Sequence, residues 1–156
     1  MSLLQPGQMA PDFELPDQEN IMTKLSKLHG IKVFIYFYPR ANTPGCVTQA
    51  CIIRDSSQIL KSKGVIPIGI SPDTVKRQDK FAKKHSLGFK LLADTEHKVA
   101  EAYGVWDKKS IYGKLFFGII RSSFLINEDG VLTHAWYKVA PKETVSNVLN
   151  ALTDFY

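Results

Sequence analysis

The chain has 156 residues, 44% of them hydrophobic and 22% charged. These are the proportions of one globular domain over residues 1–156, and they exclude a disordered chain or a disulfide-dense scaffold. Lys and Arg total 20 against 15 Asp and Glu, a net charge of +5. The basic residues are scattered rather than blocked, which argues against a nucleic-acid surface and leaves room for an acidic protein partner.

The longest apolar runs are too short to cross a bilayer, and residues 1–20 lack the basic start and sustained apolar stretch of a secretory signal. The expectation is a cytoplasmic protein with no membrane partner. Residues 1–30 form an opening segment punctuated by Pro6, Gly7, Pro11 and Pro16. It is predicted to hold an edge strand around Phe13 and Leu15, then one or two helical turns from Met22 to Leu28, stopped by Gly30. Ile31 to Tyr38 is the strongest strand: almost wholly apolar, β-branched and aromatic, as a strand covered on both faces must be. Pro39 ends it. Arg40 to Gly45 is a loop, and Cys46 to Lys63 is a helix with Ala50, Ile53, Ser57 and Leu60 on one side.

Val65 to Ile70 is a second strand and Thr74 to His85 an amphipathic helix with its lysines outside. Phe89 to Leu92 is a third strand, Glu96 to Tyr103 a helix closed by Gly104, and Trp106 to Phe117 an aromatic, basic loop. Ser122 to Ile126 and Val131 to Tyr137 make a hairpin around the turn formers 127–130, and Thr144 to Phe155 is a terminal helix. This order predicts an α/β sandwich with a mixed central sheet and helices on both faces.

The chemistry concentrates between Pro39 and Asp55. A strand ends, a Thr-Pro-Gly turn follows, and Cys46 opens a helix. The first N–H groups of a helix and its positive end favour a thiolate over a thiol, and a guanidinium nearby would add to that. Against this stands the bland reading, in which an intracellular cysteine is a small buried hydrophobe. That reading suits Cys51 better than Cys46, because the first turn of a helix is expected to be poorly buried. Two thiolates are half of a closed zinc site, and His29, His85, His97 and His134 show no ligand spacing, so no metal and no other cofactor is expected. The interval between the cysteines is C-x-x-x-x-C, not the C-x-x-C of a thioredoxin-type pair. On an intact helix their Cα atoms lie about 8.6 Å apart, beyond the roughly 4.4–6.8 Å that a disulfide spans. Bonding between them requires the first turns to unwind.

These residues resemble a known family. Pro39, Thr43, Pro44, Gly45, Cys46, Cys51, Arg54 and Asp55, with Ala10–Phe13, Gly69–Ser71, Asp73, Arg121 and Ser123–Ile126, match the peroxiredoxins of the bacterioferritin comigratory protein, or PrxQ, class. The resemblance covers the chain from about residue 5 onward. It implies a thioredoxin-like fold and a thiol peroxidase acting on hydrogen peroxide and alkyl hydroperoxides. Cys46 would be the peroxidatic cysteine and Cys51 the resolving cysteine of the same chain. Thr43 would hydrogen-bond the peroxide or thiolate, Arg121 would bring its guanidinium to the sulfur, and Pro39 would shield the site. Thioredoxin or a similar dithiol protein would reduce the disulfide. Gln49 stands where the family often has Glu, and Val47 where it often has Thr. Without the resemblance, Thr43 reads as a helix cap, Arg121 as a surface charge and Arg54–Asp55 as a local ion pair. The resemblance implies a monomer, with the Trp106–Phe117 aromatics as a weak dimer contact. Two rivals are a thiol–disulfide oxidoreductase without peroxidase activity, which the cysteine spacing disfavours, and a basic non-enzymatic binding domain.

Overall fold

The computed structural model describes residues 3–153. Two short strands come first, β1 (Glu14–Pro16) and β2 (Met22–Lys24), paired antiparallel in a sheet of their own. The helical turns expected from Met22 are thus only partly present: Leu25–Leu28 winds as a 3-10 turn, but Met22–Lys24 is strand. The Asp17 carboxylate accepts the N–H groups of Glu19 and Ile21 and folds the chain back, so Met22–Lys24 meets β1 instead of coiling.

Next come β3 (Lys32–Phe37), α1 (Pro44–Asp55) and α2 (Ser57–Ser62). The single helix expected from Cys46 to Lys63 therefore starts two residues earlier and breaks at Ser56. Pro44 suits the first helical position, where its missing N–H costs nothing. At the break, the Ser57 hydroxyl donates to the Arg54 carbonyl and competes with the helical ladder. β4 (Val65–Ser71), α3 (Val75–His85), β5 (Lys90–Ala93) and α4 (Lys98–Ala102) follow, the last shorter than expected. The region 106–117, read as a loop, is a hairpin of β6 (Trp106–Ile111) and β7 (Lys114–Ile119). Tyr112 and Gly113, both at positive φ, make its two-residue turn. The chain closes with β8 (Ser122–Ile126), β9 (Leu132–Trp136), a 3-10 turn at Pro141–Glu143 and α5 (Thr144–Thr153). The predicted helix end at Phe155 lies outside the described residues.

The central sheet has the order β5-β4-β3-β8-β9. β3, β4 and β5 are parallel, whereas β8 and β9 are antiparallel to their neighbours, giving the mixed sheet expected. Alternation along β3 splits the core in two. Val33, Ile35 and Phe37 pack with Phe124, Tyr103 and α4 on one face. Phe34, Tyr36 and Tyr38 pack on the other with α1, α3 and α5 through Ala50, Ile53, Phe81, Val145 and Val148. Gly69 belongs to this second face for a steric reason. A Cβ there would lie 2.9 Å from both Leu91 Cδ2 and the Tyr36 hydroxyl, closer than real Cβ contacts come.

Candidate active site

The site begins where β3 runs out. Tyr38 is fully buried and its hydroxyl donates to Gln78 Oε1 at 2.5 Å. Gln78 Nε2 in turn donates to Ser71 Oγ and to the Leu92 carbonyl, so three strand ends are tied together. The loop after Pro39 is pinned at two points. The buried Asp73 carboxylate accepts the Ala41 N–H at 2.7 Å and the Ser71 hydroxyl at 2.6 Å. Asn42 adopts φ +67°, which asparagine tolerates better than most residues, and its Oδ1 lies 3.2 Å from His85 Nε2. The loop is therefore held before α1 begins. Pro39 itself stays half-buried at the strand exit.

Thr43 occupies the N-cap position of α1, with extended φ and ψ, and its carbonyl accepts the Val47 N–H at 2.8 Å. Its side chain does not cap the helix. The hydroxyl donates to the Arg40 carbonyl at 2.9 Å.

Cys46 is at the third helical position and is 1% exposed. The expectation of a poorly buried first turn is corrected here. α1 lies flat against the second core face, with Pro141 and the Arg121 guanidinium over its first turn: a Cβ on Gly45 would come within 3.2 Å of Arg121 Nη2 and 3.6 Å of Pro141 Cγ. Burial does not isolate the sulfur. Arg121 Nη2 donates to Cys46 Sγ at 3.5 Å, and Nη1 donates to Gln49 Oε1 at 2.6 Å. Both cysteines are free thiols within one unbroken helix, and Cys51 is half-buried.

Arg121 reaches the sulfur because its backbone is fixed on both sides. Its carbonyl accepts the Val139 N–H, the Ile120 N–H donates to the Val105 carbonyl, and Lys109 Nζ donates to the Ile119 carbonyl at 2.6 Å. Burial, and then the Arg121 charge, hold the Lys109 ammonium below the usual lysine range, while Cys46 works in the opposite direction. Burial pushes the Tyr36 and Tyr38 phenols far up, so both stay neutral beside the sulfur. Arg54 is the local partner of Asp55 at 3.0 Å and also donates to the His85 carbonyl, a structural role. Among the described residues, no group of three or more His, Cys, Asp or Glu side chains converges as a metal site would require.

Of the expected site residues, the fold brings Cys46 and Arg121 into contact, sets Thr43 at the N-cap of the same helix and leaves Pro39 at the exit of β3. Cys51 lies further along α1. Three participants escaped the sequence reading. Gln49 was noted only as a departure, Asp73 only as part of a motif, and Lys109 only as part of a loop. One signal pointed to Gln49: it is a polar residue three places after Cys46, on the inward stripe that continues through Ala50 and Ile53.

A cysteine sulfur under a guanidinium at a helix start suits O–O bond cleavage, in which negative charge moves onto a departing oxygen. On a mixed sheet of this order it marks the thiol peroxidases of thioredoxin-like fold. The chain belongs to the AhpC/TSA family, whose sequence profile matches residues 6–135. It is 45% identical over 148 residues to Peroxiredoxin Bcp of Bacillus subtilis strain 168, covering 95% of this chain and 94% of that protein. It is 44% identical over 154 residues to Peroxiredoxin Bcp of Escherichia coli K12, covering 99% of each chain. A structure of the Xanthomonas campestris bacterioferritin comigratory protein, solved in a study of its alkyl peroxide reduction activity, superposes with a TM-score of 0.89 at 31% identity, covering 97% of this chain and 99% of that one. Thiol peroxidase activity, the peroxiredoxin class and the thioredoxin-like fold follow from these relationships.

Proposed function

We propose that Cys46 is the peroxidatic residue and that the whole chain works as one domain around it. The observation that carries this reading is the 3.5 Å contact from Arg121 to a sulfur at the start of α1. The thiolate attacks the terminal oxygen of a peroxide. An S–O bond forms, the O–O bond breaks, and the leaving oxygen takes up a proton as water or an alcohol. Cys46 is oxidised by two electrons to a sulfenic acid. Arg121 and the first N–H groups of α1 stabilise the charge that moves along this line, and Thr43 orients the incoming oxygen. Pro39 keeps bulk water from the strand exit. The activity of the Xanthomonas protein supports alkyl hydroperoxides as substrates alongside hydrogen peroxide.

Cys51 then attacks the sulfenic sulfur. A disulfide forms and water leaves, once α1 has unwound between the two residues. A dithiol protein of the thioredoxin type restores both thiols through two exchange steps and leaves oxidised. The protein acts in the cytoplasm, where a dithiol protein can return both cysteines to thiols after each turnover. It acts as a monomer, with the exposed Tyr112, Phe116 and Phe117 of the β6–β7 hairpin as a weak contact between copies at most. Neither nucleic acid nor membrane is a partner. Among the described residues, no helix is long and apolar enough to cross a membrane.

The test is mass spectrometry after one equivalent of hydrogen peroxide. Wild type is expected to lose two hydrogens as a Cys46–Cys51 disulfide, and Cys51→Ser to gain one oxygen on Cys46. Cys46→Ser is expected to lose all thiol-dependent peroxide consumption. Persistent turnover in Cys46→Ser would overturn the reading.

A further inference from the structure

Gln49 is fully buried and lies between the two cysteines in sequence. Both ends of its amide are used. Oε1 accepts from Arg121 Nη1 at 2.6 Å, and Nε2 donates to Thr144 Oγ1 at 2.8 Å. Thr144 is the first residue of α5 and is also fully buried. A continuous line of polar contacts therefore runs from α5 through α1 to the reactive sulfur: Thr144, Gln49, Arg121, Cys46.

An amide suits this place for a physical reason. A carboxylate would neutralise the guanidinium that faces the sulfur, and it has no donor of its own. The neutral amide fixes the guanidinium by one strong acceptor contact and leaves its charge directed at Cys46. The same amide sits in the stretch of α1 that must unwind before Cys51 can reach residue 46. Unwinding that reaches residue 49 would break both of its contacts.

We propose that Gln49, anchored by Thr144, is a positioning residue that favours the peroxide step by holding Arg121 and restrains the disulfide step by holding α1 wound. The inference rests on Cys46 and Cys51 acting as proposed above. Weakening the anchor moves the two steps in opposite directions. Thr144→Val leaves a buried N–H of Gln49 without its acceptor in the wound form only, so the wound form loses stability and unwinding becomes easier.

The experiment is stopped-flow and mass spectrometry on full-length wild type, Thr144→Val, Thr144→Ser and Gln49→Ala, with hydrogen peroxide as oxidant. Thr144→Val is expected to close the disulfide roughly fivefold to tenfold faster and to need more peroxide before Cys46 reaches the sulfinic acid, with sulfenic acid formation slowed by a smaller factor. Thr144→Ser restores both rates. Gln49→Ala slows sulfenic acid formation by roughly tenfold and also speeds closure. A merely structural role lowers stability without this opposed split. Unchanged closure in Thr144→Val, or a parallel loss of both rates, overturns the inference. If the variants fail to fold, wild type still decides it by NMR. The Gln49 side-chain amide protons are expected to be protected from exchange in the reduced protein and to lose that protection in the disulfide form, and continued protection overturns the inference. Failure of the underlying reading is separable, because it shows in wild type as no disulfide at all.

Discussion

Two thiols share α1, and their surroundings differ sharply. Cys46 is buried among Tyr36, Tyr38 and Ala50, touched by a guanidinium, and reached by a loop pinned at Ala41 and Asn42. Cys51, less than two turns on, is half-buried and feels the charge of Arg54, which is occupied with Asp55 and the His85 carbonyl. In the proposed reading, the first thiol is organised to react and the second to follow it. A helix achieves this division because it fixes separation and direction together. Charge and burial can be arranged at its first turn without being repeated at the next.

The contrast can be broken most strongly at Arg121. Arg121→Met is expected to lower the second-order rate of Cys46 with hydrogen peroxide by roughly 10²–10³-fold, the usual loss when one charge-stabilising donor is removed. Alkylation of Cys51 in a Cys46→Ser background is expected to stay unchanged in the same variant, and an equal loss at both thiols would erase the distinction. Arg121→Lys is expected to lose less, since it keeps a charge but cannot fork between Sγ and Gln49.

Asp73→Ala attacks the Cys46 end from the loop side. It leaves the Ala41 N–H and the Ser71 hydroxyl without their acceptor. A stability loss of about 1–3 kcal/mol is expected in urea unfolding, with a peroxide rate reduced more than the rate of Cys51 alkylation. A smaller effect sharpens the contrast from the Cys51 end. Trypsin cleavage after Arg54 is expected to be several times faster in the disulfide form, because the helix that presents Arg54 to Asp55 and His85 must open. Equal protection in both redox forms would argue that unwinding stops short of it.

The smallest expected effect reads the field at Cys46 itself. Burial and Arg121 depress the Lys109 ammonium, while Cys46 opposes them. Replacing the sulfur in Cys46→Ser removes the opposing contribution, so NMR titration of Lys109 is expected to show its pKa moving further down. A movement upward would mean that the sulfur does not carry the charge assigned to it.

Much of this site was legible in the chain because its signals are local. The apolar run before Pro39, the Thr-Pro-Gly turn and the five-residue interval between cysteines speak of strand, helix start and separation without any distant residue. The misread elements depended on distant partners or on unusual backbone. Met22–Lys24 is strand only because β1 lies beside it. The 106–117 hairpin turns on a tyrosine at positive φ, which few turn rules anticipate. The helix breaks at Ser56, where the Ser57 hydroxyl competes for the Arg54 carbonyl, an outcome composition does not announce.

By itself, then, the sequence determined the mixed α/β sheet, the position of Cys46 at a helix start, and the need to unwind before a disulfide can form, since each depends on spacing and periodicity along a few residues. Only the tertiary structure decided that Cys46 would be buried and yet touched by charge. Its guanidinium comes from 75 residues away and the anchor of Gln49 from 95 residues away. Contacts over such intervals are set by how the sheet brings β8 beside β3 and how α5 returns across α1, and no local pattern in the chain encodes those distances.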